Sequence, residues 1–422
     1  MNKIGVAACL LGVAACVLAA ASTQAQVAPK TAAPPAASAP QPSAQPAARK
    51  PAAAVASPEF DALAKRAQAA HAAQKLDEAL ALYRKALQLR PTWAEGHFAL
   101  GAVLYDLDRY EEARAEFRRV TAEQPKSGPA WAFKGMCEFQ LKNHEQALAD
   151  LQRGRLLGLA ENPSLKAVAD FQAGILLTRF SEFESAREIL SNFALVDQDS
   201  PGVIEALGLA ALRLPYLPSE APADKREMIR IAGRAMFQFT KNRYSPTARL
   251  AFDELVTRFP DEPNAHYAKG AFLMSVEETE PGLAEFRRVL AMQPSHVPAM
   301  LQLAFHLMKE GRYEEASRYA EDAVKAEPGF FAAHNALGRA LLELDQTERA
   351  IKELETAARL APNSIQTYFS LARAYQKAGR TEDVKRARDT FAKLDAALRA
   401  EREKTRGAAT QSPSLEPVPP QE

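Results

Sequence analysis

Cysteine is scarce in this sequence of 422 residues, which contains only three. Cys9 and Cys16 lie in an apolar stretch at the N-terminus, so Cys137 is the single cysteine in the rest of the chain. A lone cysteine excludes an intramolecular disulfide there, and it excludes zinc sites built from cysteine pairs. We predict that Cys137 is a small buried apolar residue without a redox role.

The sequence also lacks an excess of either charge and the usual signals of β-strands. Its 53 basic and 52 acidic residues leave a formal net charge of +1. Basic residues stand mostly beside acidic ones, and no basic cluster is interleaved with aromatic residues, so nucleic-acid binding is not predicted. Ala, Leu, Glu, Arg and Lys dominate, whereas β-branched residues and Asn-Gly turns are scarce. This composition predicts an all-α protein.

Sequence motifs of catalysis are missing as well. The seven histidines lack the HExxH spacing, and the chain contains no glycine-rich phosphate loop, GxSxG motif or dinucleotide-binding fingerprint. We therefore predict that the protein is not an enzyme and that it has no cofactor and no metal site.

What the chain does contain is a recurring unit, most regular at residues 94–127. Its second half presents Ala113, Phe117 and Val120 at spacings of four and three, and Pro125 follows. This spacing predicts an amphipathic helix with one buried stripe, which the proline ends. One helix pair cannot bury both of its faces, so it requires neighbours stacked against it.

The same positions recur along the chain. The unit carries Gly101, Ala113, Phe117 and Pro125; one period earlier stand Ala67, Ala79, Tyr83 and Pro91; and near the C-terminus three units end at Pro294, Pro328 and Pro362, which are 34 residues apart. This pattern resembles the tetratricopeptide repeat, a helix–turn–helix unit of the same length. The resemblance implies an all-α, right-handed superhelical solenoid of stacked repeats. Positions are counted from the first residue of each repeat, which is Ala94 in the unit at 94–127. His97, His266 and His334 occupy the fourth position, as do Trp131 and Tyr368, and this shared position predicts a structural slot.

The pattern divides the chain into segments. These are an N-terminal array at 59–200, a divergent repeat at 201–245, a C-terminal array at 246–398, and the end of a capping helix with a disordered tail at 399–422. Pro215, Pro218 and Pro222 interrupt the divergent repeat and predict a protruding loop there.

The N-terminus has the features of an export signal. Residues 1–25 combine a basic start, an apolar run and small residues around Ala25, which predicts a cleaved signal peptide and a place in the periplasm or cell envelope. An uncleaved anchor is one alternative. Lipidation at Cys16, within Val13-Ala14-Ala15-Cys16, is another, and it would attach the protein to a membrane. Residues 26–58 are rich in Ala and Pro and predict a disordered linker.

The resemblance also implies a binding groove. In this family, set positions of the first helices line the concave face, and aromatic and methionine residues there favour a protein or peptide partner. The corresponding residues are Phe98, Tyr105, Met136, Phe139, Phe171, Ile175, Tyr267, Met274, Leu301, Phe305, Met308, Arg339 and Phe369. A polar clamp for acidic chaperone tails is missing, because Ala64, Ala99 and Phe133 stand at its positions.

Overall fold

The computed structural model describes residues 58–159 and 161–410, and these residues form α-helices, two short 3₁₀ helices and no strand. The predicted all-α class is thereby confirmed. The predicted signal peptide and Cys16 lie outside the described residues, as do positions 26–57 of the predicted linker and 411–422 of the predicted tail. None of the described helices combines the length and the apolar character that crossing a membrane requires.

The chain divides into two units at Phe180 and Ser181, and helices pack against their sequence neighbours within each. The described part of the first unit, residues 58–159 and 161–180, contains α1 (Pro58–Ala72), α2 (Leu76–Leu89), α3 (Ala94–Asp106), α4 (Tyr110–Glu123), α5 (Gly128–Gln140), α6 (His144–Leu157) and α7 (Pro163–Arg179).

Small residues at fixed positions bring the two helices of a repeat together. A Cβ atom added to Gly101 of α3 would lie 3.0 Å from the Phe117 ring of α4. At Gly135 of α5 it would lie 2.8 Å from Leu151 Cγ of α6. The small residue at the eighth position of a repeat, such as Gly101, thus faces the large residue at the twenty-fourth position, such as Phe117, as the repeat register predicts. Ala113 is fully buried in the same interface.

The turn between the paired helices uses one residue in the left-handed conformation. Asp108, at φ 59°, follows α3. The amide of Arg109 then donates to Leu104 O at 2.9 Å, and the amide of Asp108 donates to Tyr105 O at 3.1 Å. These bonds satisfy carbonyls that the end of the helix would otherwise leave unpaired. The short turn directs α4 back along α3.

In the second unit, residues 181–410 are described. They form α8 (Phe183–Leu195), α9 (Pro201–Ala211), α10 (Arg226–Lys241), α11 (Pro246–Arg258), α12 (Pro263–Ser275), α13 (Thr279–Met292), α14 (Val297–Lys309), α15 (Tyr313–Ala326), α16 (Phe331–Glu343), α17 (Thr347–Leu360), α18 (Ile365–Lys377) and α19 (Thr381–Thr410). Two 3₁₀ helices, Pro218–Glu220 and Ala223–Lys225, lie between α9 and α10.

The proline-interrupted segment between α9 and α10 does not protrude as predicted. Its Leu214, Leu217 and Ala221 side chains are buried, and Leu214 and Ala221 belong to the same apolar cluster as Phe252 of α11. The prolines prevent a regular helix. Burial of the apolar residues between them still stabilises the folded state, because it removes apolar surface from water. The segment therefore lies against the helices as part of the core.

Candidate partner-binding surface

A buried histidine connects three elements in the same way in three repeats. In α12, His266 Nδ1 lies 2.6 Å from Glu285 Oε2 of α13, and Nε2 lies 2.9 Å from the carbonyl oxygen of Pro260. The other two sets have the same geometry and consist of His97 with Glu116 and Pro91, and His334 with Glu353 and Pro328. The ring therefore joins the two helices of its own repeat to the proline that closes the preceding helix.

Tryptophan takes over one of these bonds in another repeat. Trp131 Nε1 donates to the carbonyl oxygen of Pro125 at 3.0 Å, six residues earlier, as in the histidine sets. The shared slot predicted for His97, His266, His334 and Trp131 is thus structural. These histidines hold helices together, and their ring nitrogens face protein oxygens rather than an open site.

Cys137 lies fully buried in α5, as predicted. Burial is the main cause that raises the pKa of its thiol, and the neighbouring Glu138 raises it further. A thiol held in its protonated form is a poor nucleophile and a poor metal ligand. Cys137 therefore contributes to packing.

The structure separates the thirteen predicted groove residues by exposure. The buried ones are Phe98, Tyr105, Met136, Tyr267 and Leu301; the partly buried ones are Phe139, Phe171, Met274, Phe305, Met308 and Arg339; Phe369 is exposed. Ile175, at another groove position, is also buried. The buried side chains fill the spaces between helices, so they present little area to a partner. Among the predicted groove residues, the other seven therefore keep side-chain area that a partner could contact.

Four of these seven lie on the first helices of three successive repeats in the second unit, and we call them the first-helix patch. They are Phe305 and Met308 on α14, Arg339 on α16 and Phe369 on α18. The Arg339 guanidinium lies 5.8 Å from the centre of the Phe305 ring. Phe369 is 53% exposed, and its ring lies 6.1 Å from that of Phe391 in α19. The patch thus combines accessible apolar area with one cation.

Arg339 is the charged centre of the first-helix patch. Within the described residues its guanidinium forms no ion pair, whereas the neighbouring Arg373 pairs with Glu343 at 2.9 Å. Burial, and then repulsion from Arg373, lower the pKa of Arg339. The nearby Glu343 acts in the opposite direction and raises that pKa. A half-buried cation that forms no ion pair is favourably placed to accept a carboxylate.

One group of polar residues was missed by the sequence analysis. Glu280 of α13 and His306 and Glu310 at the end of α14 bring three possible ligand atoms within 4.8 Å of one another. The residues lie in two helices, and Glu280 precedes His306 by 26 positions, so no short motif contains them. The i, i+4 spacing of His306 and Glu310 was a signal, but a pair of this kind is common on exposed helices.

Comparison with known proteins identifies the repeats. The tetratricopeptide repeat family model matches residues 70–137, and the model of the cilia and flagella-associated protein 70 middle TPR-like domain matches residues 244–395. The human protein O-mannosyl-transferase TMTC3 is 24% identical over 257 residues, which are 58% of this chain and 27% of that protein. The chain therefore spans about a quarter of the length of this curated relative.

Two solved structures are similar to parts of the chain. A MamA RS-1 ArsTM double mutant is 21% identical, with a TM-score of 0.36, and the match covers 42% of this chain and 97% of that one. MamA 41-end from Desulfovibrio magneticus RS-1 is 24% identical, with a TM-score of 0.34 and the same coverage. The family matches, the repeat register and the stacked helix pairs together show that this chain is a tetratricopeptide repeat protein.

Proposed function

We propose that this protein is a non-catalytic scaffold of the bacterial cell envelope that binds a peptide or helix of another protein on the first-helix patch. Repeat arrays of this family support protein interaction in general, because stacked helices offer an extended continuous surface. The observation that carries the finer proposal is the accessible set of Phe305, Met308, Arg339 and Phe369 on successive first helices.

The chemistry of the patch suggests what the partner presents. Phe305, Met308 and Phe369 would bury apolar side chains, at about 25 cal/mol per Å² of apolar area before the cost of ordering the partner. The Arg339 guanidinium would bind a carboxylate of the partner while it remains over the Phe305 ring. The partner segment we propose therefore carries apolar residues next to an acidic side chain.

Crosslinking in native envelopes, followed by mass spectrometry, tests this proposal. Phe305→Ala combined with Met308→Ala, and separately Arg339→Met, should lower the recovery of the specific partner about tenfold or more, because each removes part of the contact area. A matched control is Leu250→Ala, since Leu250 is 67% exposed on α11, a second helix. Circular dichroism should show unchanged helix content in all three.

The partner recovered in this way should then bind the purified wild type and Leu250→Ala equally well, and it should bind the two patch variants more weakly. An unchanged crosslinking profile in both patch variants, or an equal loss in Leu250→Ala, would refute the assignment of the surface.

The alternative is a lipid-anchored assembly factor for a membrane or secretion complex. The sequence Val13-Ala14-Ala15-Cys16 supports it, because lipid attachment to Cys16 would place the array at a membrane. Mass spectrometry of the mature N-terminus distinguishes the two forms. A lipid-modified Cys16 favours the anchor, whereas an unmodified terminus near Gln26 favours the free exported form.

A further inference from the structure

Three side chains capable of binding a metal meet between two neighbouring repeats of the second unit. Glu280 is the second residue of α13, His306 lies in the last turn of α14, and Glu310 immediately follows that helix. The four-residue spacing places His306 and Glu310 on one face of α14, towards the start of α13. One carboxylate oxygen of each glutamate and one imidazole nitrogen lie within 4.8 Å of one another.

The imidazole nitrogen at this place has one short contact, which joins it to the carboxylate four residues later. His306 Nε2 is shielded from solvent and makes no hydrogen bond to the described residues. Its short contact is with Glu310 Oε1, at 3.0 Å, which is an ion-pair distance. Buried polar atoms are nearly always paired, so an unsatisfied nitrogen beside a carboxylate oxygen requires an explanation.

A small cavity adjoins the three side chains. It has a volume of about 80 Å³, and Leu283, Leu303 and Tyr319 contribute to its wall. A water molecule occupies roughly 30 Å³ in the liquid, so the cavity has room for an ion and one or two waters.

A neighbouring arginine orients one of the two glutamates. Arg312 Nη1 holds Glu310 Oε2 at 3.1 Å, which leaves Oε1 directed towards His306. Glu280 forms no ion pair with the described basic residues, although Arg287 lines the same cavity. One oxygen of each glutamate therefore remains available near the imidazole.

We propose that Glu280, His306 and Glu310 bind a divalent transition-metal ion of the zinc class, with water as a fourth ligand. One imidazole and two carboxylates suit Zn²⁺, whereas Ca²⁺ and Mg²⁺ prefer shells made only of oxygen. Ligand atoms in a tetrahedral zinc site are about 3.3 Å apart. His306 Nε2 and Glu310 Oε1 already lie 3.0 Å apart, so binding would mainly require Glu280 to approach, by about 1.5 Å at most. The ion would fasten the second helix of one repeat to the first helix of the next.

Metal titration of the complete, untagged protein tests the site. Zn²⁺ should bind with a stoichiometry of one per chain by calorimetry, and Co²⁺ should give the absorption bands of a tetrahedral complex. Loss of a residue that only supports a ligand already weakens metal binding about 10- to 100-fold. Because His306 and Glu280 are proposed as direct ligands, His306→Gln and Glu280→Gln should each weaken binding at least tenfold. Zn²⁺ should also raise the melting temperature of the wild type but not that of His306→Gln.

Glu348→Gln is a closely matched control. Glu348 is the second residue of α17, follows a threonine as Glu280 does, and is exposed in the same way. It should bind Zn²⁺ like the wild type, which shows that loss of one helix-terminal charge is not the cause. Absence of saturable Zn²⁺ binding in the wild type would overturn the proposal, and so would equal affinities in Glu280→Gln, His306→Gln and Glu348→Gln.

Discussion

His266 Nδ1 lies 2.6 Å from Glu285 Oε2, and this contact ties the first helix of its repeat to the second. The other ring nitrogen faces the Pro260 carbonyl oxygen at 2.9 Å. A single fully buried side chain thus joins three segments. Because the same geometry recurs at His97 and His334, it is a general device of this array.

Removing this histidine should destabilise the second unit. We expect His266→Ala to lower the free energy of unfolding by about 2–4 kcal/mol, because Glu285 loses its buried partner and a cavity forms. Glu285→Gln should cost less, about 1 kcal/mol, since an amide still reaches the ring. Urea denaturation followed by circular dichroism measures both. A midpoint for His266→Ala equal to that of the wild type would show that the contact contributes nothing.

Two glycines make the closest helix crossing in the divergent repeat. A Cβ atom at Gly208 of α9 would lie 1.9 Å from Ile229 O, and one at Gly233 of α10 would lie 1.9 Å from Ile204 O. Gly208→Ala and Gly233→Ala should each cost about 2 kcal/mol or more, because the backbones must separate. Gly329→Ala is the control, since its Cβ meets nothing within 4 Å. If thermal unfolding shows equal losses in the three variants, the crossing is not as close as described.

Acid should weaken the second unit through His296. This residue caps α14: its Nδ1 accepts a hydrogen bond from the Ala299 amide at 3.1 Å. Burial, and then the nearby Arg213, lower the pKa of His296 to about 4. The ring is therefore neutral in the folded chain, whereas in the unfolded chain it titrates near its ordinary value of about 6.5.

The sign of the pH dependence follows from these two values. Between pH 6.5 and 4 the unfolded chain binds more protons, so stability is complete above about pH 6.5 and is lost as the pH falls towards 4. From pH 7 to pH 5 the loss should be about 2 kcal/mol. His296→Asn keeps a capping side chain and does not titrate, so its denaturation midpoint should depend less on pH over this range. Parallel pH profiles for the two proteins would contradict the assignment.

Cys137 should react only when the protein unfolds. With Cys9 and Cys16 replaced by Ser, one thiol remains. Because it is buried and its pKa is raised, its alkylation by iodoacetamide at neutral pH should be at least about 100-fold slower than in urea. Mass spectrometry over time measures the rate. Fast labelling under native conditions would place Cys137 at the surface.

The repeat register was predictable from local chemistry. Gly101 and Phe117 are separated by the length of one turn and one helix, so their spacing alone indicates that a small residue faces a large one. The shared slot of His97, His266 and His334 followed in the same way from their equal positions. The bonds of that slot to a glutamate and a proline carbonyl became visible only in three dimensions.

The accessible surface was less predictable. Phe98 and Phe305 both occupy groove positions, yet Phe98 lies among the rings of Phe117 and Phe133, whereas Phe305 remains partly exposed beside Arg339. The difference depends on what the next repeat places over each ring. The prediction for the segment around Leu217 was wrong for a related reason. Prolines indicate where a regular helix is interrupted, but they do not indicate whether the neighbouring apolar side chains are buried.

The sequence by itself determined the all-α class, the pairing of helices and the small and large residues at their contacts, because these follow from a period repeated every 34 residues. Only the tertiary structure decided which first-helix side chains remain accessible and that Glu280 meets His306 and Glu310. The physical reason is that both depend on distances between neighbouring repeats, which arise from the packing of many side chains at once.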